Sequence, residues 1–134
     1  MLALLMVTLA NAGDCKIYKG EYASYSNLLG TVKNDTFYSG DYVSIHHLKG
    51  IRKNEKVYKG EYASYNNLIA TLKGNKVYRG DYASYNRLIA TIKDDKIYKG
   101  EYASFRHLVA TGTDCLSTDL GLAASILLGW SDSW

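Results

Sequence analysis

The sequence predicts an all-β fold, a tandem array of antiparallel β-hairpins followed by one short helix. Three observations carry that prediction. A 20-residue motif recurs five times without a slip of register, starting at Lys16, Thr36, Lys56, Lys76 and Lys96. A turn-forming pair of residues separates two strand-like runs at each boundary between copies. The composition, 13 Tyr and 12 Gly with no Pro in 134 residues, fits repeated strands and tight turns better than disorder.

The frame of the repeat is dense. Tyr18, Tyr38, Tyr58, Tyr78 and Tyr98 share one phase, Gly20, Gly40, Gly60, Gly80 and Gly100 a second, and Tyr22, Tyr42, Tyr62, Tyr82 and Tyr102 a third. Ser and Leu recur at the phases of Ser24 and Leu28. Within a copy, Leu88-Ile89-Ala90-Thr91-Ile92 is apolar and partly β-branched, and the run from Lys96 to Tyr102 follows it. Between such runs lie Asn34-Asp35, Asn54-Glu55, Gly74-Asn75 and Asp94-Asp95, residues that tolerate the positive φ of a two-residue hairpin loop. A helical repeat is opposed by the periodic glycine, the β-branched runs and these pairs.

A two-residue loop sets a register. It places Ile92 opposite Ile97, Thr91 opposite Tyr98 and Ile89 opposite Gly100. Alternation along a strand then puts Tyr98, Gly100 and Tyr102 on one face, with the glycine leaving room for Ile89. Ile97 and Ile92 share the other face with Lys99 and Glu101. Residues Ala83 to Arg87 form the return loop.

The chain divides into residues 1–15, 16–115 and 116–134. Met1 to Ala12 is apolar and reads in two ways. It is a secretory signal cleaved after Ala12, or a half-repeat in which Leu5–Leu9 matches Leu68–Leu72. The tail leaves the repeat at Gly112. Ser117 or Thr118 caps a helix, Leu120 to Leu128 is apolar, and Gly129 ends it. This run is shorter than the roughly 20 residues of a membrane span. It is expected to cover the open end of the sheet. Anchoring at a membrane surface through Trp130 and Trp134 is the less favoured alternative.

Cys15 precedes the first copy and Cys115 ends the fifth, 100 residues and five periods apart. Ten strands in an open meander would separate them by about 48 Å, whereas a disulfide needs Cα atoms within about 7 Å. A ring of repeats brings the two equivalent positions together. The closed ring with a Cys15–Cys115 bridge is favoured over the open array for an exported chain, and two free thiols are expected in a cytosolic one.

The chemistry-bearing residues do not compose a catalytic site. The sequence contains no nucleophile elbow, phosphate-binding glycine loop or zinc-type Cys cluster. The acids Glu21, Asp41, Glu61, Asp81 and Glu101 recur in every copy beside Lys19, Lys59, Arg79 or Lys99, which reads as an exposed ladder of opposite charges. No metal and no cofactor is expected. His47 and His107 share a phase with Asn27, Asn67 and Arg87, a polar position on a loop, and His46 stands beside it. Tyr25, Tyr65, Tyr85 and Phe105 occupy the return loops. An aromatic at a fixed repeat phase reads first as core between neighbouring repeats. The functional reading is a set of ring faces with neighbouring polar groups that hold a sugar or a peptide surface. The candidate binding residues are therefore Tyr25, Asn27, His47, Tyr65, Asn67, Tyr85, Arg87, Phe105 and His107.

The string Tyr-Lys-Gly-Glu-Tyr at Tyr18–Tyr22 and Tyr58–Tyr62 resembles the opening of a MORN repeat, a β-hairpin module. The further glycines of that module are replaced here by Ser64 to Thr71. The whole 20-residue pattern with its apolar tail is closer to bacterial proteins of tandem Tyr-x-Gly hairpins, the β-flower type. That resemblance implies hairpins and transfers no catalytic residue.

Taken together, these features predict a non-catalytic repeat scaffold that binds a protein or carbohydrate surface. The alternative is a secreted, multivalent carbohydrate-binding protein, and a hydrolase using one acid pair ranks last. A net charge of +3 is too weak to argue for nucleic acid, and a membrane partner is not expected. The location is secreted or cell-surface if residues 1–12 are a signal, and cytoplasmic otherwise.

Overall fold

The computed structural model describes residues 14–129. The half-repeat and signal readings of the N-terminal segment, and the anchoring role of Trp130 and Trp134, lie outside the described residues. Ten strands form the sheet: β1 (Cys15–Lys19), β2 (Leu28–Lys33), β3 (Thr36–Ser39), β4 (Leu48–Lys53), β5 (Lys56–Lys59), β6 (Leu68–Lys73), β7 (Lys76–Arg79), β8 (Leu88–Lys93), β9 (Lys96–Lys99) and β10 (Leu108–Thr113). All are antiparallel to their neighbours, and β10 pairs with β1 to close a barrel.

Four hairpins have the register that the turn pairs predict, with Thr91 opposite Tyr98 and Ile92 opposite Ile97. In two of the turns both residues are left-handed, Asn34 and Asp35 at φ 53° and 60°, Asp94 and Asp95 at 51° and 65°. The fifth hairpin is split between the first strand and the last, β1 and β10. Lys16 faces Thr113 as Thr36 faces Lys33. Asp114 takes the same left-handed conformation, φ 59°. Where the next turn residue would lead into a following strand, Cys115 is instead bonded to Cys15, with Cα atoms 4.6 Å apart. The disulfide stands in for the missing turn.

Side chains follow from this closure. Ile17, Phe37, Val57, Val77 and Ile97 point into the barrel and are fully buried or nearly so. So do Ala70, Ala90, Ala110, Val32, Leu72 and Ile92. The register shifts by one residue across each of the five return loops, for example between Val57 and Tyr58. The extra residue of four of these bulges, Leu29, Ile69, Ile89 or Val109, packs against the core. On the outer face, lysine and threonine bind three successive strands. Lys56 Nζ donates to Thr71 Oγ1 at 3.0 Å, and Thr71 Oγ1 donates to the Gly80 carbonyl at 2.7 Å. Lys16–Thr31–Gly40 and Lys76–Thr91–Gly100 repeat the pattern, and Lys96–Thr111–Gly20 carries it across the seam.

The helix is not a lid on an open edge, because closure leaves no edge. Helix α1 (Ser117–Ala124) continues as a π-helical segment, Ser125–Gly129, and runs through the barrel. Residues 120–126 are all buried, on every side of the helix, and the helix meets strands around the whole ring. A helix apolar all round belongs in a core. The dimensions agree. Ten strands about 4.8 Å apart, tilted about 40°, make a wall about 10 Å from the axis. A helix is about 10–12 Å across with its side chains, so large inward groups must alternate with positions that carry little or no side chain. Gly30, Gly50, Ala70, Ala90 and Ala110 hold one such phase. A Cβ on Gly30 would collide with the edge of the Phe37 ring, and one on Gly50 would collide with Ile126 Cδ1. Gly112 takes the phase of Leu72 and Ile92, where a Cβ would lie 2.7 Å from both Cys115 Sγ and Leu120 Cδ2.

The N-cap is Leu116, one residue before the expected serine, and its backbone N–H is accepted by Asp119 Oδ2 at 3.0 Å. Burial pushes the Asp119 carboxyl above its ordinary pKa of 3.8. Ser125, buried mid-helix, donates to the Gly121 carbonyl at 2.8 Å.

Candidate functional site, a crown of return loops

Antiparallel closure sorts the connections. The hairpin turns and the disulfide lie at one end of the barrel, and all five return loops lie at the other. Each loop starts where a strand stops. The strand expected to run from Lys96 to Tyr102 ends at Lys99, because Gly100 takes φ +80°. The equivalent glycines lie at φ 73–78°, a region that costs an L-residue about 1–2 kcal/mol. Space is not the reason for glycine here. A Cβ at Gly20, Gly40, Gly60 or Gly100 would meet nothing within 4 Å.

The turn at glycine sends the next residues outward, so the expected shared face of Tyr98 and Tyr102 is not formed. Tyr22, Tyr42, Tyr62, Tyr82 and Tyr102 are 65–69 % exposed. Each loop then makes a single 3-10 turn at its aromatic phase, over Tyr25–Asn27, Ile45–His47, Tyr65–Asn67, Tyr85–Arg87 and Phe105–His107. Tyr25, Tyr65, Tyr85 and Phe105 are 73–75 % exposed, and Ile45 is also exposed. They do not pack between repeats. The crown therefore displays eleven large hydrophobic side chains, two per loop and a third, Val43, in the second loop.

The candidate polar residues divide. Asn27 and Asn67 donate from Nδ2 to the Tyr22 and Tyr62 carbonyls, each at 3.2 Å. His47 and His107 share a hydrogen bond with Ser44 and Ser104 through Nδ1, at 2.9 and 2.8 Å. These four hold their own loops together rather than point at a common ligand. Arg87 makes no such tie.

Three of the acids take partners from the preceding copy. Asp41 pairs with Lys16 and Asp81 with Lys56, each at 2.8 Å and 25 residues away. Glu101 accepts from the Tyr85 hydroxyl at 2.6 Å, which holds the Tyr85 proton above the ordinary phenol range. Each contact joins one copy to the return loop of the next. Between them lie open clefts, one of about 260 Å³ lined by Tyr65, Leu68, Gly80, Asp81, Tyr82 and Arg87. Among the described residues, no group of three or more His, Cys, Asp or Glu is placed to hold a metal ion. No described helix is long and apolar enough to cross a membrane.

Sequence reasoning missed the Tyr22 phase and Arg79 as members of this surface. The signal available was the glycine two residues before each Tyr22-type position, read as a spacer rather than as a turn.

The family model described as 6-fold beta flower protein matches residues 51–115. The repeats within that stretch are of the β-flower type. That family is described as six-fold, whereas the described residues close into five hairpin units. No curated protein and no solved structure matches the chain.

Proposed function

From a closed ring of β-flower repeats, we propose a non-catalytic binding scaffold that engages its partner through the crown of return loops. The observation that carries this reading is the exposure of eleven large hydrophobic side chains at one end of the barrel. A contiguous apolar surface rimmed by polar groups is how a soluble domain presents an interaction site. Rigid backing supports the same reading, because Asn27, His47, Asn67 and His107 close four of the loops and strand lysines of the preceding copy, Lys16 and Lys56, hold Asp41 and Asp81. Those pairings also favour a non-catalytic role, since they neutralise two of the recurring carboxylates.

Multivalent carbohydrate binding is the second reading, and the open cleft beside Tyr65 and Tyr82 favours it. The Cys15–Cys115 bridge suits an oxidising compartment, where such a protein would meet glycans. A glycan array probed with the purified chain tests both. Retention on glycans that Tyr25→Ser, Tyr65→Ser and Tyr85→Ser together abolish is the expected result of the second reading. Silence on the array, with a protein partner captured by the wild-type crown and lost by the same variant, leaves the first. No binding partner dependent on these rings refutes both.

A further inference from the structure

The fourth copy departs from the repeat at two positions that meet in space. The phase held elsewhere by Lys19, Ser39, Lys59 and Lys99 is Arg79. The phase held by Asn27, His47, Asn67 and His107 is Arg87. Arg87 reaches back over its own copy's glycine, with Nη1 3.3 Å from where a Cβ on Gly80 would stand. The corresponding glycines of the other copies have nothing within 4 Å. Arg79, Asn86 and Arg87 line one cleft of about 410 Å³ with Leu88 and Ile89. Ser84 Oγ donates to Asn86 Oδ1 at 2.9 Å, which leaves the Asn86 amide N–H groups as donors to a ligand.

Neither guanidinium has a carboxylate within 4 Å among the described residues. Asp81, on the adjoining cleft, is held by Lys56 at 2.8 Å. Two exposed arginines are ordinarily solvated surface charge. Here they converge on one cleft with an amide donor, and Arg87 also lines the second cleft with Tyr65, Tyr82 and Asp81. The planar guanidinium fork matches the paired oxygens of a carboxylate or sulfate. The aromatic rings offer flat apolar surface to the C–H face of a pyranose, and Asp81 offers an acceptor for its hydroxyls. We infer that this copy-four site binds an acidic sugar, its carboxylate or sulfate on Arg79 and Arg87 and its ring toward Tyr65 and Tyr82. The inference rests on the crown being the binding surface and names the ligand class of one of its clefts.

Isothermal titration of the full chain with four probes tests it: an oligogalacturonate, a sulfated oligosaccharide, the matched neutral oligogalactose and a poly-glutamate peptide. Arg87→Asn keeps the loop, because asparagine stands at that phase in copies one and three and closes the turn. Arg87→Lys keeps the charge and loses the fork. The expected result is at least tenfold tighter binding of one acidic oligosaccharide than of the neutral one, lost in Arg87→Asn and largely lost in Arg87→Lys. Which acidic probe binds identifies carboxylate or sulfate. Equal affinity for acidic and neutral probes overturns the inference. So does poly-glutamate binding as tightly as the acidic sugar with Arg87→Lys unaffected, which would mark a non-specific charge effect. Acidic binding that survives Arg87→Asn but is lost in Tyr65→Ser removes the anion site and leaves the crown reading standing. No binding by any probe rejects the acidic-sugar site, while the crown reading stands or falls on the array and capture results.

Discussion

Replacing Cys15 and Cys115 with serine removes the one covalent link among the described residues across the seam where β1 meets β10. The strands on either side stay paired in four register positions, from Lys16–Thr113 to Lys19–Ala110. The hydrogen-bond chain from Lys96 through Thr111 to the Gly20 carbonyl also crosses the seam without the sulfurs. The ring should therefore still form, and the loss should appear in the unfolded state, which is freed from a loop of 100 residues. The chain-entropy relation gives about 4.7 kcal/mol for such a loop, a large share of the 5–15 kcal/mol typical of a domain. At about 2.1 cal/mol/K of unfolding entropy per residue over 134 residues, that is a fall in Tm of about 17 °C. Denaturation in guanidinium, followed by circular dichroism, should show a lower midpoint and a steeper dependence on denaturant, because the released chain exposes more surface. Cys15→Ser alone should cost nearly as much as the double change. A fall of less than about 3 °C with an unchanged slope would refute the argument, and would mean that the unfolded chain stays compact without the bond.

Gly50→Ala should destabilise by about 1–3 kcal/mol, because the new methyl collides with Ile126. Ile126→Val, which removes the clashing Cδ1, should recover part of that loss in a thermal melt. Gly60→Ala should cost about 1–2 kcal/mol although the space beside it is open, since the penalty lies in the backbone at φ +78°. Tyr62→Ser together with Tyr65→Ser should change stability by less than about 0.5 kcal/mol, and a large destabilisation would show that the crown is packed. For Asp119 the folded carboxyl pKa lies above 3.8, so the folded state holds its proton more tightly. This contribution to stability is full below pH 3.8 and is lost as pH rises through the folded pKa. The stability of the wild type relative to Asp119→Asn should therefore rise on acidification through that window, and a flat difference would contradict the burial of Asp119.

The elements that depend on neighbours in sequence were legible from the residues. Asn34-Asp35 and Asp94-Asp95 favour left-handed backbone wherever they stand, and a two-residue loop allows one register. The equal phase of Cys15 and Cys115 pointed to closure, because only a ring superposes the first position on the last. Closure also decided what local pattern could not. The run from Leu120 to Ile126 suits a helix over a sheet edge as well as one within a barrel. The choice was made by five hairpins, which leave no edge and make a wall at about the distance a helix fills. Gly50 and Gly112 became meaningful only with Ile126 and Leu120 against them, contacts set by the helix's position inside the barrel. Tyr22 and Tyr25 recur at fixed phases like core residues, yet they face water. Their direction depends on the turn at Gly20, and their common rim on the antiparallel ring, so periodicity could not distinguish a buried ladder from an exposed crown.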